Sequence, residues 1–173
     1  MTFDYLVPAS CRSGIGTVRI VSFGFGHAEP PAAHLLVDLR VHFRDPHVSP
    51  DLRGKTARDA EVREAVMSTS GANLLVVGLA DTVDGFVHGP AAAGAPGVVT
   101  TTPVVVAVGC SGGRHRAPTI ASALAAALTG NVQAAIRYGL AHAAGQYVQR
   151  SLDVTLHHRD LDKPVIQRPE VTK

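Results

Sequence analysis

Residues 104–128 read VVVAVGCSGGRHRAPTIASALAAAL, and this stretch decides the fold. Val104 to Val108 form an apolar run of strand length. It meets a glycine-rich, doubly basic turn, Gly109 to Arg116. Ile120, Leu124 and Leu128 then recur every fourth residue, the spacing of a helix face. Pro118 fits only the first turn of that helix, where a missing N–H costs nothing. The segment is therefore a strand, a cationic turn and a helix start. Glycines let such a turn curl until successive amides point inward. The helix N-terminus adds roughly half a positive charge. Ser111, Gly112 and Gly113 would supply amides, and Arg114, His115 and Arg116 side-chain donors. The pattern predicts a cradle for a phosphorylated small molecule.

Further elements lie on both sides. Residues 17–23 (TVRIVSF) alternate as a strand, and 34–40 (HLLVDLR) form a second apolar run ending in Asp38 and Arg40. Residues 57–68 carry a helical face, with Thr56 as a candidate cap. Residues 72–87 fit a buried strand or a helix equally. Residues 89–101, rich in Gly, Pro and Ala, read as a flexible loop. Residues 131–144 read as one further helix, and 152–157 (LDVTLH) as a last strand. Strands interleaved with helices predict an α/β domain, a three-layer sandwich on a largely parallel sheet. In such a sheet the loops after the strands gather in one crevice. The expected division is a flexible leader over 1–16, one domain over 17–163 and a tail over 164–173.

The bulk numbers narrow the class. The chain has 173 residues, 46% hydrophobic and 17% charged, as expected of one folded domain with a sizeable core. Its net charge of +2 gives no global drive toward nucleic acid or membrane. Arginine outnumbers lysine 13 to 3, and arginine suits bidentate contact with phosphate. Cys11 and Cys110 lie far apart, which argues against a cysteine zinc site or a disulfide framework and fits a reducing cytoplasm. The N-terminus lacks the pattern of a signal peptide. A cytoplasmic protein with no membrane partner is the expectation.

Four groups carry candidate chemistry. The turn at 109–116 matches neither a Walker A motif nor GxGxxG. It does fit Cys-x5-Arg, through Cys110 and Arg116. That spacing resembles cysteine-dependent phosphatases, so a Cys110 phosphatase or phosphotransferase stands as the alternative to a non-catalytic binding role. Gly109 and Ala117 depart from the phosphatase pattern. His47, held between prolines in RDPHVSP, could face a phosphate or sugar hydroxyl. Asp38 and Arg40 share a strand face, as ligand contacts or as a structural ion pair. Arg159, in HHRD, is a candidate anion partner. His157 and His158 point to opposite faces of a strand, which disfavours one shared metal ion. No metal site and no cofactor are expected.

These segments fall in one order: SFGFG (22–26), VDLR (37–40), RDPH (44–47) followed by PDLR (50–53), GCSGGRHR (109–116) and HRD (158–160). The order resembles the C-terminal domain of the RapZ family, the RNase adapter proteins and their relatives, over about residues 17–163. The resemblance implies a fold like a phosphofructokinase subdomain. It implies a site for a phosphosugar such as glucosamine-6-phosphate, or a nucleotide-like anion, built from Ser111, Gly112, Gly113, His115 and Arg116 with His47 opposite. It also implies a link to RNA, since characterised members bind a small regulatory RNA and present it to RNase E. Full-length members carry an N-terminal P-loop kinase-like domain. This chain has no such P-loop, so its ATP and GTP hydrolysis is not expected here. A separate kinase-like protein and a homo-oligomer are partners that the resemblance leaves open. Gly26 and His27 replace a Lys–aromatic pair, and the tail lacks a dense basic cluster. An RNA-binding adapter in its own right is therefore a further alternative to the small-anion sensor.

Overall fold

The computed structural model describes residues 17–43, 45–46, 49–92, 102–149 and 152–166. The expected leader, His47 and most of the expected tail lie outside the described residues.

The elements run β1 (Thr17–Gly24), β2 (Leu35–Asp38), α1 (Pro50–Arg53), α2 (Ala60–Met67), α3 (Ala72–Ala92), β3 (Val104–Cys110), α4 (Arg116–Leu128), α5 (Val132–Ile136), α6 (Ala141–Tyr147) and β4 (Asp153–His158). The four strands form one sheet in the order β2-β3-β1-β4, every pairing parallel. The fold is thus α/β, as the alternation of patterns predicts. β3 lies at the centre and is apolar on both faces, the signature of a strand covered on each side.

Val18, Ile20, Val106, Val108 and Cys110 join one apolar cluster with Ala117, Ile120, Ala121 and Leu124 of α4. Alanines let α4 press close to the sheet, and eleven of its thirteen residues are buried. Helices α2, α3, α5 and α6 pack around α4. On the opposite face Val21, Phe23 and Ala107 are buried too. There the Phe23 and Phe25 rings meet edge to face at 4.7 Å. A β-carbon at Gly109 would stand 2.5 Å from both rings. Phe25 belongs to the irregular segment that links β1 to β2. Helices, sheet and this segment make up the three layers.

Three expectations are corrected. α2 begins at Ala60 with Asp59 as the cap position; Thr56 instead donates its amide to Asp59 Oδ2 (2.8 Å). α3 resolves the ambiguity of 72–87 as helix and continues to Ala92, into the segment expected to be loop; residues 93–101 lie outside the described residues. The single helix expected over 131–144 is two. Gly139 adopts φ +69 between them. Gly139 and Leu140 donate their amides to the Ile136 and Ala135 carbonyls, a Schellman stop that only a left-handed residue completes. Gly130 ends α4 in the same way. Among the described residues, no single helix is long and apolar enough to cross a membrane.

Candidate functional site

All four strands point the same way, so their carboxyl ends, Gly24, Asp38, Cys110 and His158, share one edge of the sheet. The segments after them are stitched together there. Phe25 and Gly26 donate their amides to the Cys110 and Ser111 carbonyls (2.9 and 3.0 Å). Leu39 donates to the Gly109 carbonyl (2.8 Å), and Ala57 to the Arg114 carbonyl (2.9 Å). The carbonyls of Gly109, Cys110, Ser111 and Arg114 are therefore turned outward and taken. The amides of 111–114 are not: among the described residues, the N–H groups of Ser111, Gly112, Gly113 and Arg114 have no hydrogen-bond partner. α4 follows directly. It has no side-chain cap at its first position and no acidic residue in its first turn. A row of unbonded amides against an uncapped helix start is the geometry of an anion nest.

Glycines make this turn for different reasons. Gly113 has φ +70, and a β-carbon there would stand 2.7 Å from the Gly24 nitrogen and 2.9 Å from Asp160 Cβ. Conformation and packing both require it. Gly112 is the opposite case: a β-carbon there would meet nothing within 4 Å, and its φ lies outside the left-handed region.

Arg116 is buried, with 3% of its side chain exposed. Its Nη1 donates to the carbonyls of Leu39 (2.8 Å), Arg40 (3.2 Å) and Phe43 (2.8 Å). Its Nη2 donates to Asp45 Oδ2 (2.6 Å) and to Ser111 Oγ (3.4 Å). The guanidinium thus clamps the connector after β2 rather than standing open to a guest. His115, also buried, contacts the Lys55 carbonyl through Nε2 at 2.9 Å. A carbonyl only accepts, so Nε2 carries the proton, and Nδ1 faces Asp45 Oδ1 at 3.8 Å. Arg114 donates to the Lys163 carbonyl (2.7 Å) and so ties the turn after β4 to the cradle. The three basic residues of the motif hold neighbouring loops in place, and the amides of 111–114 stay open.

The remaining predicted residues are placed as follows. Asp38 and Arg40 form a doubly bonded ion pair (Nε–Oδ1 3.0 Å, Nη2–Oδ2 2.6 Å) that holds the Asp38 carboxyl below its ordinary range. The Arg40 guanidinium lies 3.7 Å above the Phe25 ring. Arg159 donates to Asp160 Oδ2 (2.9 Å) and to the carbonyls of Glu29, Gly24 and Ala28. Cys110 is buried in the apolar cluster beneath α4. The Cys-x5-Arg spacing therefore does not set an open thiol beside a free guanidinium. His158 sits between Ser22 Oγ (2.8 Å) and Ser122 Oγ (3.3 Å); burial foremost, with the charges of His157 and Arg58, lowers its pKa.

Two structural roles escape sequence reasoning. Asp45 bridges Arg116 and His115, and its only signal in the sequence is a carboxylate beside Pro46. Asp160 is fully buried, accepts from the Gly24 amide (2.8 Å) and Arg159 (2.9 Å), and forms an ion pair with Lys163, whose Nζ lies 2.7 Å away. Burial pushes its carboxyl up, but the Arg159 hydrogen bond, the Gly24 amide and Lys163 outweigh it and hold the pKa at about 2. The HRD block shows this residue in the sequence without its role.

The architecture and the turn define an α/β domain with a row of unbonded amides at the carboxyl ends of parallel strands. The model of the RapZ C-terminal domain matches residues 16–143, and the chain belongs to that family. A nucleotide-binding protein of Rubrobacter xylanophilus is 35% identical over 154 residues, covering 89% of this chain and 43% of the relative. One of Limosilactobacillus fermentum is 32% identical over 146 residues, 84% of this chain and 42% of the relative. A third, of Thermus thermophilus, is 42% identical over 118 residues, 65% and 38% of the two chains. The chain thus spans about two fifths of the length of these relatives.

Proposed function

We propose that this domain is a sensor or adapter that binds a phosphorylated small molecule in the nest at residues 111–116. The observation that carries the reading is the sorting of that turn. The carbonyls of Gly109, Cys110, Ser111 and Arg114 are bonded outward, and the amides of 111–114 are unbonded beside an uncapped helix start. Unpaired buried or semi-buried amides are costly, and a bound oxyanion is the partner that satisfies several at once. Ser111 Oγ accepts from Arg116, which leaves its own proton for a guest. Gly112 supports the reading independently. Neither packing nor backbone conformation demands glycine there, whereas close approach of a ligand to the backbone does. The relatives' name, nucleotide-binding protein, favours a phosphorylated metabolite. The family resemblance favours a phosphosugar such as glucosamine-6-phosphate, with His47 as a contact from the connector that Arg116 holds. Nucleophilic chemistry at Cys110 gains no support from its burial.

Calorimetry with inorganic phosphate and glucosamine-6-phosphate tests this on the wild type and Gly112→Val. The wild type should bind, and the variant should lose at least about tenfold in affinity, about 1.4 kcal/mol. Because the added side chain starts in open space, unfolding stability should stay within about 1 kcal/mol. Equal binding by both proteins would move the ligand out of this turn.

A further inference from the structure

We infer that Asp45 is a specificity-determining residue of the nest, an internal counter-ion that discriminates against each added negative charge on the incoming anion. This rests on the reading of the turn as an anion site. Arg116 is the buried cation at the end of that turn, and its three carbonyl partners carry no net charge. Among the described residues Asp45 is its one carboxylate partner, at 2.6 Å. The same carboxylate stands 3.8 Å from His115 Nδ1. Through Arg116 Nη2, which also reaches Ser111 Oγ at 3.4 Å, it lies one guanidinium away from the first residue of the nest. Its side chain is 30% exposed.

The consequence is electrostatic. The charge of Arg116 is cancelled where it sits, and attraction comes from amide dipoles. A guest then meets a fixed carboxylate one guanidinium away from Ser111. Repulsion from that charge scales with the guest's charge, so a dianion suffers twice what a monoanion does. Asp45 therefore tilts the site toward the less charged of two otherwise similar phosphates. Asp45→Asn keeps an oxygen to accept from Arg116 and removes only the charge.

Phenyl phosphate and dimethyl phosphate separate the cases at about pH 8, where the monoester is doubly charged and the diester singly. Affinities for both are measured on the wild type, Asp45→Asn and Asp45→Glu, with thermal melts confirming that each folds. Asp45→Asn should bind both probes more tightly. Its monoester-to-diester affinity ratio should rise by about two- to threefold, from one further unit charge at roughly 7 Å in a water-like dielectric. Asp45→Glu, which keeps the charge, should leave the ratio near that of the wild type. An unchanged ratio in Asp45→Asn, or equal weakening of both probes, reduces Asp45 to a brace for the connector and overturns the inference alone. Absence of binding of either probe by all three proteins overturns the anion reading of the nest, and the inference with it.

Discussion

Arg116 shows how one side chain can look like a ligand contact and act as a clamp. Five donor contacts from its guanidinium reach Leu39, Arg40, Phe43, Asp45 and Ser111. Arg116→Ala would leave those carbonyls without their donor and Asp45 without its cation. Loss of roughly 2–4 kcal/mol of stability is expected in denaturant unfolding, together with loss of phosphate binding. A variant that lost binding with stability intact would instead place the guanidinium on the ligand. The sequence makes the type of residue plain, because arginine beside a glycine turn invites an anion. It cannot show that carbonyls from a connector more than seventy residues away are already there. Asp45 was hidden for the same reason: its role exists only once the connector folds back over the turn.

At the scale of elements, the β3–turn–α4 unit was legible because its signals agree. An apolar run buried on both faces, a glycine turn and a helix with Pro118 in its first turn each point to one answer. The other strands were legible from their apolar runs. What was not legible turned on local stops and long-range packing. The apolar spacing of Val132, Ile136 and Leu140 continues through Gly139, yet the Gly139 Schellman turn ends α5 there. The 72–87 segment carries both periods, and its packing on α4 settles it as helix. The helix continuing past Gly89 and Pro90 overrides the turn propensity of those residues.

At the scale of the whole molecule, the strand ends are locked together by one buried carboxylate. Asp160 joins the end of β1, through the Gly24 amide, to the turn after β4, through Arg159 and Lys163. Its folded pKa of about 2 lies below the unfolded value of 3.8. The depressed pKa means that its stabilisation is complete above about pH 4 and is lost as pH falls through about 2. The contribution is on the order of 2 kcal/mol. Asp160→Asn should unfold more readily at neutral pH and lose the extra pH dependence between about 4 and 2, as followed by circular dichroism. Wild type and variant with parallel stability–pH curves in that window would show that the carboxylate is not the lock.

The central claim is that the backbone amides of 111–114 are what an anion binds. An amide-resolved NMR titration with inorganic phosphate addresses those four groups directly. The largest shifts should fall on Ser111, Gly112, Gly113 and Arg114, saturating together. Saturable shifts centred elsewhere on the domain, with these four amides unmoved, would contradict it.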